Sequence, residues 1–239
     1  MNGNINHWEQ WQADCAQIGV PVPDAQVALF QRFYGLLIEA NRTTNLTRIT
    51  EPEDFLYRHL LDALALLPLI PPDASLADIG SGAGIPAIPL AIARPDLRIT
   101  AVESVGKKCA FIQSVKESMD LSNLEVLNDR SEALGQKPEF REYFNVVTAR
   151  AVATLPVLLE LCLPLVTVGG QFLAMKGLSY EAELEASAHA LKTLGGRLKE
   201  VHTFNHPRLE GSRVLVFEKV ARTPRLYPRQ PGTPAKNPL

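Results

Sequence analysis

Cysteine is scarce in this sequence, and no two cysteines have the spacing of a ligand pair. Among 239 residues there are three, Cys15, Cys109 and Cys162. They lie far apart and form no Cys-x-x-Cys motif, so the sequence predicts neither a zinc site nor a disulfide framework. We therefore expect a protein of a reducing compartment, the cytoplasm, that binds no metal.

Long hydrophobic runs are also missing. Residues 60–70 form the most apolar helical stretch, which is shorter than the roughly 20 residues that a membrane-spanning helix needs. Residues 1–6 lack the charged and apolar regions of a secretory signal. The sequence thus predicts a protein that is neither inserted into a membrane nor exported.

Neither positive nor negative charge is in large excess over the whole chain. The 24 Lys and Arg residues against 26 Asp and Glu residues give a net charge of −2, which argues against a general nucleic-acid coat protein. The final segment differs, because no acidic residue follows Glu218. The basic residues that remain there are Lys219, Arg222, Arg225, Arg229 and Lys236. This basic end is suited to contact phosphate, or it is a solvated and disordered terminus.

The pattern of apolar residues predicts an α/β fold with three parts. Residues 1–72 form a helical extension, with helices at 6–18, 25–40 and 53–67. Residues 73–220 form an α/β domain with a mainly parallel seven-stranded sheet, because short apolar strands alternate with helices. The last two strands follow each other without a helix and are expected to be antiparallel. Residues 221–239 are a basic, proline-rich tail, which we expect to be extended or disordered.

The expected elements of the α/β domain follow from this pattern. Strands are predicted at residues 75–79, 98–103, 124–128, 144–149, 170–175, 197–204 and 213–220. Helices are predicted at residues 86–94, 106–119, 154–167 and 179–194.

A glycine-rich turn follows the first predicted strand. Gly80, Gly82 and Gly84 stand at alternate positions, between an apolar run and an apolar segment that continues from Pro86. Glycines at this spacing let the backbone turn sharply and approach a ligand, and the helix that follows offers unpaired N–H groups. The turn therefore indicates a nucleotide-like cofactor, although a strand–helix connection also uses glycines for packing alone.

The residues around the turn distinguish between cofactors. A dinucleotide-binding fingerprint needs glycine at position 85, where this chain has Ile85. Asp78 precedes the turn, and its carboxylate suits a cationic amino group better than a pyrophosphate. S-adenosylmethionine carries such an ammonium group and no phosphate. The turn also differs from the nucleophile elbow of hydrolases, since Ile79 occupies a position that must be glycine.

Polar residues at the ends of later strands complete the candidate site. Glu103 lies 23 positions after Gly80, at the spacing of a carboxylate that accepts both ribose hydroxyls, or it is a residue of the first turn of a helix. Ser131 and Glu132 suit an adenine ring through side chain or backbone, or they cap a helix. Arg150 ends an apolar strand, where it clamps a carboxylate, phosphate or guanine edge, or forms a salt bridge at the sheet edge.

These residues occur within an ordered set of motifs that resembles the RsmG family of bacterial 16S ribosomal RNA guanine-N7 methyltransferases. The resemblance covers nearly the whole chain. Its matching stretches are Asn45-Leu46-Thr47, Arg58-His59-Leu60-Leu61-Asp62, residues 78–86, residues 103–108, Arg130-Ser131-Glu132, residues 148–151 and, in the tail, residues 227–229 and 231–234.

The resemblance implies a Rossmann-like class I S-adenosylmethionine-dependent methyltransferase fold with an N-terminal helical extension. Carried residue by residue, it implies cofactor contacts at Gly80, Ile85, Glu103, Ser104, Val105, Ser131, Glu132 and Arg150. The argument from the turn itself adds Asp78 and Gly82. Many relatives have aspartate at the position of Glu103, and both carboxylates accept a diol.

The resemblance further implies methyl transfer to N7 of a guanine in the 530 loop of 16S ribosomal RNA, within the small ribosomal subunit. Guanine N7 carries a lone pair and no proton, so the transfer needs no general base and no catalytic acid or base is assigned. Arg150 contacts either the guanine or the cofactor carboxylate. His59 is interpreted as a structural residue or a substrate contact.

Two other functions use a similar fold. An NAD-dependent oxidoreductase is disfavoured by Ile85 and Asp78, and a non-enzymatic RNA-binding or cofactor-sensing protein is the third candidate. For the methyltransferase, RNA contacts are expected in the helical extension, Lys107 and Lys108, Arg197-Leu198-Lys199 and the tail. Removal of the chain after Val220 is expected to weaken RNA binding more than cofactor binding.

Overall fold

A computed structural model describes residues 7–239 of the chain. Residue 6, where the first predicted helix begins, lies outside this range. The helices within it are α1 His7–Gln17, α2 Asp24–Asn41, α3 Pro52–Phe55, α4 Asp62–Leu64, α5 Ala87–Ala93, α6 Gly106–Met119, α7 Ser131–Leu134, α8 Leu155–Cys162, α9 Glu181–Ala186, α10 Ala188–Leu194 and α11 Thr233–Lys236. The strands are β1 Ser75–Ile79, β2 Arg98–Val102, β3 Leu124–Leu127, β4 Phe144–Arg150, β5 Val166–Lys176, β6 Gly196–Thr203 and β7 Arg213–Lys219.

The seven strands in residues 7–239 form one sheet in the order β3-β2-β1-β4-β5-β7-β6. Strands β1 to β5 pair in parallel, whereas β7 is antiparallel to both β5 and β6. The predicted fold class is therefore confirmed, including the antiparallel strand at the end. From β1 the sheet continues through β2 and β3 on one side and through β4 and β5 on the other, so the strand order reverses between β1 and β4. Ligands of α/β proteins bind at the carboxyl ends of the strands at such a point.

Several helix boundaries differ from the predicted ones for local reasons. The predicted helix 154–167 ends at Cys162, because Pro164 has no backbone N–H and the chain continues as a 3₁₀ turn into β5. The predicted helix 179–194 is two helices, α9 and α10, and the Ser187 hydroxyl between them donates to the Glu183 carbonyl at 2.6 Å. The predicted helix 53–67 contains a π-helical segment, Leu56–Leu61, between α3 and α4.

The N-terminal helices share a hydrophobic core with one face of the sheet. Trp11, Phe30 and Phe33 are fully buried in the same cluster as Ile88 of α5 and Ile112 of α6. The ring centroids of Trp11 and Phe30 lie 5.3 Å apart in an edge-on arrangement, which aromatic rings favour. The described part of the extension is therefore packed onto the α/β domain.

The tail, which we expected to be extended or disordered, packs against the α/β domain. Much of residues 221–239 has no regular structure, as the prolines predict, but α11 forms a helical turn near the end. The Arg229 side chain bonds the Glu160 carboxylate of α8, with Nη2 to Oε2 at 2.6 Å. Neither the composition nor the periodicity of the tail reveals this partner.

We expect Phe30→Ala to lower the free energy of unfolding by about 3–4 kcal/mol, because it leaves a cavity in the shared core. Urea unfolding followed by helical circular dichroism and by tryptophan fluorescence should give one transition for wild type and variant. Gln31→Ala, on the exposed side of α2, is the control and should cost less than about 0.5 kcal/mol. Two separate transitions in the wild type would contradict a shared core.

Candidate functional site

The glycine turn is held against the neighbouring strand. The N–H groups of Gly80 and Ser81 both donate to the Val102 carbonyl at the end of β2, at 2.8 and 3.2 Å. Gly80 has φ +71°, and a Cβ atom there would lie 2.6 Å from Cγ2 of Val152. Glycine is therefore favoured at this position by the backbone conformation, and a Cβ atom would also require the Val152 side chain of the loop after β4 to move.

Asp78 lies beneath the turn. Its side chain is buried, and its Oδ2 accepts a hydrogen bond from the Ala87 N–H at the start of α5, at 3.2 Å. Burial raises the pKa of the Asp78 carboxyl to about 6, against the opposing effect of that hydrogen bond. Ile85 is also buried, so both predicted cofactor residues shape the turn from its inner side.

Glu103 joins the turn to the helix that follows β2. Its Oε2 accepts from the Gly82 N–H and its Oε1 accepts from the Val105 N–H, both at 2.8 Å. The carboxylate is thus fixed at the carboxyl ends of β1 and β2. Each carboxylate oxygen has two lone pairs, so both oxygens keep the capacity to accept from the hydroxyls of a ribose.

A cavity of about 230 Å³ lies beside the turn. Four predicted residues line it, namely Gly80, Ser104, Ser131 and Glu132. Its other lining residues include apolar ones from β1, β2, the β4–α8 loop and α8, and three from the tail: Ile79, Val102, Val152, Ala153, Val157, Leu161, Gly232, Pro234 and Ala235. Apolar walls with a polar edge suit a flat heterocyclic ring such as adenine.

The side chains of Ser131 and Glu132 both have partners at this cavity. The Ser131 hydroxyl donates to the Leu161 carbonyl at 2.5 Å, and Oε1 of Glu132 accepts from the Gly232 N–H at 2.9 Å. Ser131 therefore offers a ligand its backbone rather than its hydroxyl. No sequence pattern predicts the contact between Glu132 and the tail.

Arg150 lies at a second cleft, of about 490 Å³, together with Arg58, His59 and Asp62. Its Nη1 donates to the Arg58 carbonyl at 2.8 Å and lies 3.4 Å from Oδ2 of Asp62. The other oxygen of Asp62, Oδ1, accepts from the Ser212 hydroxyl at 2.9 Å. The sequence motifs contain Arg58, His59 and Asp62, but only the fold places these residues beside Arg150. No sequence motif indicates that Ser212 belongs to this cleft.

His59 is neutral and takes part in this network through both ring nitrogens. Burial, followed by the positive charge of Arg150, lowers the pKa of His59 to about 4. Nδ1 of His59 lies 3.1 Å from both Nη2 of Arg150, a donor, and the carbonyl oxygen of Arg58, an acceptor. Nε2 lies 3.0 Å from the Thr47 hydroxyl. His59 fixes the orientation of Arg150.

The two spaces meet at one short segment after β4. Arg150 and Ala151 line the second cleft, whereas Val152 and Ala153 line the cavity beside the glycine turn. Ala151 has φ +55°, a left-handed conformation that is uncommon for residues other than glycine. Such backbone strain is concentrated at functional sites. The segment 150–153 thus borders both spaces.

Known proteins share this architecture and sequence. The family model for rRNA small subunit methyltransferase G, also named GidB, matches residues 26–213. This chain belongs to that family. The ribosomal RNA small subunit methyltransferase G of Bacillus cereus strain AH187 is 43% identical over 234 residues, which cover 97% of this chain and 98% of that protein. The protein of the same name from Bacillus subtilis strain 168 is 39% identical over the same shares.

Solved structures of low sequence identity share the fold of this rRNA methyltransferase G family member. A SAM-dependent methyltransferase from Aquifex aeolicus is 16% identical with a TM-score of 0.54, covering 71% of this chain and 94% of its own. Fibrillarin of Aeropyrum pernix in complex with S-adenosyl-L-methionine is 17% identical with a TM-score of 0.52, covering 67% and 75%. The likeness confirms the Rossmann-like methyltransferase fold.

Two kinds of feature are absent from residues 7–239. None of the helices described there is long and apolar enough to cross a membrane. In the same range, no three or more His, Cys, Asp or Glu residues are grouped so that they could hold a metal ion.

We expect Gly84→Ala to destabilise the protein more than Gly82→Ala. Both glycines have positive φ, so each substitution costs about 1 kcal/mol in backbone strain. Only at Gly84 does a Cβ atom meet a buried side chain, 2.3 Å from Cδ1 of Ile88, which adds about 1–3 kcal/mol. Urea unfolding measures both costs. Ile88→Val removes Cδ1 and should recover part of the Gly84→Ala loss, and a strictly additive double variant would contradict the clash.

His59 should make the stability of the protein depend on pH below neutrality. Its pKa of about 4 lies below the ordinary value, so the unfolded chain takes up the proton first as the pH falls and the folded state loses stability. The advantage of wild type over His59→Gln should shrink by about 2 kcal/mol between pH 7 and pH 5. Urea unfolding at both pH values tests this, with His189→Gln as the control at an exposed histidine. An unchanged difference would contradict a neutral, buried His59.

Proposed function

We propose that this protein transfers a methyl group from S-adenosylmethionine to N7 of a guanine in the 530 loop of 16S ribosomal RNA. Membership of the rRNA small subunit methyltransferase G family supports the reaction class. The observation that carries the proposal is the pair of adjoining spaces, since one suits the cofactor and the other, beside Arg150, suits the base. The guanine position rests on the resemblance of the motifs.

S-adenosylmethionine is the cofactor of this methyltransferase, and the residues present fit it. Gly80 and Gly82 leave room for a ligand, Glu103 accepts from a ribose diol, and the apolar cavity takes an adenine ring. The carboxylates of Asp78 and Glu103 beside the turn would repel a pyrophosphate, so an NAD-dependent reaction is disfavoured. When bound, S-adenosylmethionine supplies a methyl group attached to a positively charged sulfur.

We assign the remaining predicted residues to the same ligand. Ser104, Val105, Ser131 and Glu132 border the adenosine end, with Ser131 acting through its backbone. Asp78 and Ile85 support the turn from beneath.

The second cleft has the chemistry to orient a guanine. The base carries two kinds of donor on its pairing edge, N1–H and the N2 amino group, and the Asp62 carboxylate is an acceptor of suitable charge. The guanidinium of Arg150 can donate to O6, which lies next to N7. Since Arg150 is held by Arg58, Asp62 and His59, its position is set before RNA binds.

No side chain in the second cleft needs to remove a proton. Guanine N7 has a lone pair and no hydrogen, so the attack requires alignment rather than a general base. His59 would be the obvious base, but it is buried and both of its ring nitrogens have partners within the protein. The Asp62 carboxylate also stabilises the positive charge that the methylated ring acquires. The protein thus acts by positioning and electrostatics.

The RNA backbone would pass the mouth of this cleft. Arg208 lies there with its guanidinium 4.1 Å from the centre of the Tyr57 ring and its Nη2 at 2.8 Å from Oε1 of Glu53. Arginine held on an aromatic ring is a suitable phosphate ligand. The proposed partner is 16S ribosomal RNA within the small ribosomal subunit, in the cytoplasm.

The test is to map the methyl group on small ribosomal subunits from a strain that lacks this activity. Subunits incubated with the protein and labelled S-adenosylmethionine should acquire one N7-methylguanosine, in the 530 loop. Detection by reduction and strand cleavage at N7-methylguanosine gives the position. Labelling at another atom or another loop, or no labelling of either subunits or free RNA, would contradict the proposal.

Asp62→Asn should lower kcat/KM for the RNA substrate by about 10- to 100-fold, because a charged acceptor for the guanine edge is lost. The Kd for S-adenosylmethionine should stay the same. Asp54→Asn removes an exposed carboxylate of α3 and serves as the matched control. Full activity of Asp62→Asn would remove Asp62 from the acceptor site, and full activity of Arg150→Ala would remove Arg150.

A further inference from the structure

We propose that residues 229–235 of the tail form a wall of the S-adenosylmethionine site and border the purine ring. The inference deepens the proposed function, since it rests on the same cofactor in the same cavity. The tail contributes Gly232, Pro234 and Ala235 to the lining of that cavity. Other parts of the lining come from the glycine turn and the β4–α8 loop. The wall therefore comes from the C-terminal tail, whereas the glycine turn lies in the first half of the chain.

A buried ion pair holds the wall in position. Glu160 of α8 is fully buried, with 0% of its surface exposed. Its carboxylate accepts from Arg229 at three nitrogen atoms: the backbone N at 2.8 Å, Nε at 2.9 and 3.1 Å, and Nη2 at 2.6 Å. Among the described residues, no other group bonds this carboxylate. A buried charge without its partner is strongly destabilising, so Glu160 requires the tail to be in place.

A second anchor lies earlier in the tail. Both terminal nitrogens of Arg141 donate to tail carbonyls, with Nη2 to Thr223 and Nη1 to Tyr227, each at 2.8 Å. The Gln136 side chain donates to the Pro228 carbonyl at 2.6 Å. The tail is thus fixed on both sides of Pro228 before it reaches the cavity.

The wall is joined directly to the polar edge of the cavity. Gly232 has φ +84°, and its N–H donates to Oε1 of Glu132 at 2.9 Å. This turn leads into α11, where Pro234 is buried and Ala235 is exposed but lines the cavity. One oxygen of Glu132, which the sequence assigns to adenine, therefore holds the wall. Pro234 and Ala235 supply small apolar surfaces, which suit the face of a purine ring.

This placement changes the expectation for the tail. Arg229 is used within the protein, on Glu160, and is not a free cation for RNA. Removal of the tail is therefore expected to weaken cofactor binding at least as much as RNA binding, in contrast to the expectation from composition.

The first test fills the cavity from the wall without touching either anchor. In the full-length protein, Ala235→Phe should raise the Kd for S-adenosylmethionine at least about 10-fold in calorimetric titration, since the new ring occupies the purine space. Lys236→Phe places the same ring at the next, exposed position, outside the cavity lining, and should change the Kd less than about 2-fold. Unfolding by urea should be alike for both variants.

The second test removes the anchor. Arg229→Gln should raise the Kd for S-adenosylmethionine and for S-adenosylhomocysteine by about 10-fold, whereas Arg225→Gln, the same change at an exposed arginine of the tail, should not. Because Arg229→Gln also leaves Glu160 charged and buried, the Arg229→Leu, Glu160→Leu double variant restores stability and should still bind the cofactor more weakly.

The outcomes separate the two proposals. Wild-type affinity for the cofactor in Ala235→Phe, while the wild type itself binds, would overturn the wall and leave the proposed function standing. A wild-type protein that binds S-adenosylmethionine but labels no RNA would overturn the proposed function and leave the wall standing. Failure of the wild type to bind the cofactor at all would overturn both.

Discussion

The Glu103 carboxylate is the contact on which the rest of the candidate site depends. It accepts one N–H from the glycine turn and one from the start of α6, and so fixes two strand–helix connections relative to each other. A carboxylate that accepts two backbone N–H groups is held in one orientation. The turn that this contact holds also lines the cavity, and the loop after β4 packs on it at Gly80.

Features encoded locally were predictable from the sequence. The strands, the glycine turn and the acidic residue at the end of β2 all follow from patterns within a few residues, and the family resemblance added their meaning. Helix α8 was predicted too long, because apolar residues continue through Pro164 into β5 without a change of pattern. The composition of the tail suggested disorder, since no local pattern shows that Arg229 meets a buried carboxylate 69 positions earlier.

The second cleft shows the same limit of local reasoning. Arg150 and His59 are 91 positions apart, and either residue alone is equally compatible with a structural role. Only the fold shows their relation, because it places α3, the π-helical segment and α4 next to the end of β4. Once they are brought together, the shift of the His59 pKa follows from burial and from the neighbouring guanidinium. The division into two spaces, the cavity beside the glycine turn and the cleft beside Arg150, is a property of the fold rather than of any motif.

The position of the tail has a consequence for the order in which the site is assembled. Domains can begin to fold while the chain is still being synthesised, from the N-terminus onwards. Residues 229–235 are translated after the glycine turn, Glu103 and the whole sheet. A nascent chain can thus complete its sheet before residues 229–235 are synthesised. During that interval the Glu160 carboxylate lacks its partner Arg229. The tail residues that line the cavity, Gly232, Pro234 and Ala235, are therefore the last part of its lining to be synthesised.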